Sequence, residues 1–101
     1  MTPNVYRFEF ERSVPIEEAE MSLHLALFAV EGLFGESRVR LDASYHVDEP
    51  RSAIVVDATT EVGAAVVRVF TSLLLHEFGG DGFSVRRADP ATPAAVEGKA
   101  A

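Results

Sequence analysis

Cysteine is absent from the chain. That excludes a disulfide framework, a thiolate metal centre and a cysteine nucleophile. Tryptophan is absent too, and Lys99 is the only lysine. Positive charge is scarce: 9 Lys+Arg stand against 16 Asp+Glu, a formal net charge of −7. Such a field repels phosphate backbones and argues against a nucleic-acid partner. Long apolar runs are also missing, because Glu20, Glu31, Arg68 and Glu77 interrupt them. None reaches the ~20 residues needed to cross a bilayer. Met1-Thr2-Pro3-Asn4 leads straight into a strand pattern with no basic-then-apolar leader. The expectation is a cytoplasmic protein with no membrane partner.

Reactive constellations are lacking as well. There is no G-x-S-x-G, no P-loop and no dinucleotide fingerprint. Gly79-Gly80-Asp81-Gly82 follows a helix pattern and precedes a strand pattern. That is the reverse of the order that cradles phosphate, so the segment reads as a turn. His24, His46 and His76 have no metal-ligand spacing. No catalytic residue, cofactor or metal is expected.

What is present is a regular alternation of patterns. Over residues 5–12, Tyr6, Phe8 and Phe10 share one parity while Arg7, Glu9 and Glu11 share the other, as in a half-buried strand. A helix is predicted over about 15–34. Pro15 suits its first turn, Glu17 and Glu18 complement its dipole, and Gly35 suits its end. Residues 37–48 alternate again, with Val39, Leu41, Ala43, Tyr45 and Val47 opposite Arg38, Arg40, Asp42, Ser44, His46 and Asp48. Glu49-Pro50-Arg51 signals a turn into a third strand over 53–58. Thr59 or Thr60 can cap a second helix over about 60–78, and residues 83–87 form a last short strand.

The order strand-helix-strand-strand-helix-strand, with right-handed crossovers, resembles the ferredoxin-like superfold. The resemblance implies an α+β two-layer sandwich: four antiparallel strands in order 4-1-3-2, with two helices on one face. The expected organisation is one domain over residues 1–88 and a flexible tail over 89–101, rich in Ala and Pro. This superfold hosts many functions and decides none.

Two surfaces compete as functional candidates. The first is the polar outer face of the sheet, where Arg38 and Arg40 are carboxylate or phosphate forks and His46 supplies an imidazole. On it, Ala53 and Val55 form a small apolar patch. Tyr6, Phe8 and Phe10 belong instead to the core face, since turning them outward would bury Arg7, Glu9 and Glu11 unpaired.

The second surface is the first helix, which is apolar on two opposite sides. Ile16, Ala19, Leu23, Ala26, Leu27, Val30 and Phe34 make a stripe for the sheet. Met21, Leu25 and Phe28 make a second stripe half a turn away, which Leu75 of the second helix extends. A two-layer domain needs only one such stripe. The second is covered by a partner, covered by Ala94, Ala95 and Val96 of the tail, or simply left exposed, in that order of expectation. The expectation is a non-catalytic, self-associating module, a homodimer built on Met21, Leu25, Phe28 and Leu75. The rivals are a small-ligand binder or enzyme using Arg38, Arg40 and His46, and a subunit of a hetero-complex.

Overall fold

A computed structural model of the chain describes residues 4–88. The expected tail over 89–101 lies outside the described residues, as do Ala94, Ala95 and Val96. The elements in chain order are β1 (Val5–Phe10), α1 (Ile16–Phe34), α2 (Glu36–Asp42), β2 (Ser44–Asp48), β3 (Ala53–Asp57), α3 (Glu61–Phe78) and β4 (Phe83–Ala88). A single 3₁₀ turn, Glu49–Arg51, joins β2 to β3.

The four strands form one antiparallel sheet in the order β2-β3-β1-β4, which counted from the opposite edge is 4-1-3-2. β1 and β3 are central, and β2 and β4 are the edges. Tyr6, Phe8 and Phe10 face the helices, as their parity requires. Phe8 and Ile54 are fully buried, and the Phe8 ring lies 4.7 Å from that of Phe70 on α3. From above the sheet come Ala19, Leu23, Ala26 and Val30 of α1, and Val62, Val66, Phe70 and Leu74 of α3. Burying side chains of this kind contributes about 1.5–3 kcal/mol each for the large ones and is the main force holding the layers together.

Among the described residues there are three α-helices, not the two expected. Residues 37–48 do not form one strand. Glu36–Asp42 is helical and only Ser44–Asp48 is strand. The reason lies in the partner. β3 has five residues, and Ser44↔Asp57 to Asp48↔Ala53 uses all of them. Residues before Ser44 have no strand beside them, so their backbone groups must be satisfied locally. A helix does this, supported by the i,i+4 ion pairs Glu36–Arg40 at 3.3 Å and Arg38–Asp42 at 3.5 Å. Gly35, with φ +92, makes the break between α1 and α2. The new helix sends Val39 into the core and leaves Leu41 84% exposed, where the strand pattern had both inside.

α3 starts at a capped end. The Thr60 hydroxyl accepts from Gly63 N–H at 2.9 Å and donates to the Asp42 carbonyl at 3.0 Å. One side chain thus closes α3 and ties it to the end of α2.

Candidate interaction surface

The sheet-facing stripe of α1 is buried or half-buried throughout: Ala19, Leu23, Ala26 and Val30 are buried, while Ile16, Leu27 and Phe34 pack against the core. The opposite side is open. Met21 is 63%, Leu25 54% and Phe28 73% exposed. Their spacing of four and three residues keeps them in one line along the helix. Leu75 on α3 is exposed as well, one residue beyond the buried Leu74.

Two exposed apolar residues escape the periodic pattern. Leu33 and Leu41 are both largely in solvent, at the end of α1 and on α2. Leu33 follows the fully buried Val30 by almost one turn yet is 74% exposed. The strand pattern gave Leu41 to the core, so nothing in the alternation exposes it. Beside Phe28 the helix surface dips into an open groove lined by Phe28, Ala29, Glu31, Gly32 and Glu36. Gly32 supplies the gap: a Cβ there would meet no atom within 4 Å.

His24, on the flank of α1, is paired within the fold. Its Nε2 lies 3.5 Å from the Tyr45 hydroxyl of edge strand β2, and the rings meet edge-on. His76 stands exposed in the last turn of α3, where a cation complements the dipole.

The ligand-binding trio expected on the sheet is not assembled. Arg38 and Arg40 are on α2, not on a strand. Arg38 binds Glu61 at 3.1 Å and Asp42 at 3.5 Å, and its guanidinium lies 4.9 Å from the Phe34 ring centroid. Arg40 is engaged by Glu36. Only His46 remains on the outer sheet face, exposed beside Val55. Each arginine meets carboxylates of its own chain in exposed ion pairs.

The outer sheet face carries a chain of ion pairs from one edge to the other. Arg51 meets Asp48 at 3.4 Å, and Asp48 meets Arg7 at 3.7 Å. Arg7 Nε donates to Glu9 at 2.8 Å, and Arg86 reaches the same carboxylate oxygen at 3.4 Å. The hydrogen bond from Arg7 is the largest influence on the Glu9 carboxyl; burial opposes it, and with the charges of Arg86 and Arg7 the carboxyl is held below the usual carboxylate range. Ala53 stands opposite Glu9 and Asp48 in the ladder and is fully buried. Of the apolar patch expected at Ala53 and Val55, Ala53 is therefore covered, while Val55 is half-buried.

Among the described residues no group of three or more His, Asp or Glu is placed to hold a metal ion, and no helix is long and apolar enough to cross a membrane. No protein family matches the chain, and comparison with curated proteins and with solved structures finds no match.

Proposed function

We propose that this chain is a non-catalytic, cytoplasmic interaction module of ferredoxin-like βαββαβ architecture, which works by laying the outward face of α1 against another protein surface. One observation carries the reading. Met21, Leu25 and Phe28 stand in a line on the side of α1 away from the sheet, each more than half exposed. Covering large apolar side chains contributes up to about 1.5–3 kcal/mol apiece before the cost of association is subtracted. A second copy, giving a homodimer, and a different chain in a hetero-complex are the two forms this module can take.

The rival reading, a small-ligand binder or enzyme on the outer sheet face, has less support. A binding site is concave, with polar groups free to turn toward a ligand. On this face Arg7, Arg51 and Arg86 are spent on Asp48 and Glu9, and His46 stands alone.

Sedimentation tests the module. Fluorescently labelled full-length chain is followed at micromolar concentration, alone and in extract of its native host, beside a Leu25→Glu, Phe28→Glu variant. The wild type is expected to sediment faster than a monomer in at least one condition. The variant is expected to be monomeric in both while keeping a cooperative melting transition. A wild-type monomer in both conditions overturns the proposal.

A further inference from the structure

We infer that the partner seated on α1 is a cationic helical segment of another protein, with an apolar face flanked by Lys or Arg. The inference rests on the docking role proposed for α1 and names its occupant.

The borders of the apolar line are acidic. α1 carries Glu17, Glu18, Glu20 and Glu31 and contains no Lys or Arg. Glu17 and Glu18 precede Met21 by four and three residues, and Glu31 follows Phe28 by three, so they neighbour the line on the helix surface. α3 brings one arginine, Arg68, against Glu61 and Glu77. The groove beside Phe28 has the same character. Its apolar lining is Phe28, Ala29 and Gly32, and its acidic residues are Glu31 and Glu36. Of these two, Glu36 already has a cation of its own in Arg40. An open, mostly apolar groove that includes an aromatic ring and glutamates suits the aliphatic stem and charged head of a lysine or arginine.

The other occupants fit less well. A second copy brings the same borders. A two-fold axis through Leu25 pairs α1 with itself antiparallel and brings Glu17 and Glu18 of one protomer near Glu31 of the other. Like charges brought together at an interface select against that pairing. The segment over 89–101 offers Lys99 against Asp89 and Glu97, so it supplies no net positive charge.

Three designed peptides of equal length test the inference on the full chain by fluorescence anisotropy. One is an amphipathic helix of leucine and lysine. The second has glutamate for lysine, and the third has the lysine peptide's composition with its amphipathic order scrambled. The lysine helix is expected to bind, and to bind at least about tenfold more weakly when salt rises from roughly 50 to 500 mM. Leu25→Glu, Phe28→Glu and the charge reversal Glu17→Lys, Glu18→Lys, Glu31→Lys are each expected to weaken it tenfold or more. Unchanged melting curves show that these variants are folded. Equal binding of the glutamate helix or of the scrambled peptide overturns the inference. So does a failure of all three peptides to bind. If that failure accompanies self-association that Leu25→Glu abolishes, the docking role stands and the cationic partner falls. If the chain also sediments as a monomer alone and in host extract, both fall.

Discussion

Gly63, in the first turn of α3, lies so close to the Asp57 carbonyl at the end of β3 that a Cβ would collide with its oxygen. The contact fixes how near α3 sits to the sheet. Gly63→Ala is therefore expected to destabilise the fold by about 1–3 kcal/mol, despite alanine's better helix propensity. Gly32→Ala is the opposite case: the site is helical and open, so a gain of about 0.5–1 kcal/mol is expected. Urea unfolding of the two variants checks both signs. Equal effects would contradict the close approach.

Leu41 and Phe8 separate the helix over Glu36–Asp42 from the strand that the alternation suggests. Leu41 is 84% exposed and Phe8 fully buried. Leu41→Glu is expected to change stability by no more than about 0.5 kcal/mol, whereas Phe8→Ala loses about 3–5 kcal/mol. A large loss from Leu41→Glu in thermal unfolding would return that residue to the core.

Thr60 makes two bonds with one hydroxyl, to Gly63 N–H and to the Asp42 carbonyl. Thr60→Ala is expected to cost about 0.5–2 kcal/mol, and Thr60→Ser to restore most of it. Loss of amide protection confined to the start of α3 and the end of α2, seen by hydrogen exchange, would locate the effect.

Glu9 gives the outer sheet face a pH dependence. Its carboxyl is held low by the Arg7 hydrogen bond and by Arg86. A group whose pKa is depressed on folding stabilises the fold above its unfolded pKa, about 4.3 for Glu, and that stability is lost as pH falls through the folded value. Glu9→Gln is thus expected to lower stability at neutral pH and to flatten its decline in acid. Parallel pH-stability curves for wild type and variant would remove Glu9 from the account.

Much of the fold was legible because its signals are local. The parity of Tyr6, Phe8 and Phe10 against Arg7 and Glu9 marked a one-sided strand. The 3.6-residue recurrence of Ala19, Leu23, Ala26 and Val30 marked the face that α1 buries. The exposed line of Met21, Leu25 and Phe28 followed from the same geometry, since a residue half a turn from the core has only solvent or a partner to meet.

The rest depended on what each segment finds beside it. Residues 36–42 alternate as a strand would, yet β3 is too short to pair with them, so they coil into α2 and carry Arg38 and Arg40 off the sheet. Ala53 alternates outward, yet it is fully buried between Glu9 and Asp48 of the neighbouring strands. Periodicity by itself determined which faces are apolar, because side-chain direction is set by the local backbone. Tertiary structure alone decided which of those faces are covered, because covering a surface takes a neighbour that is distant in sequence.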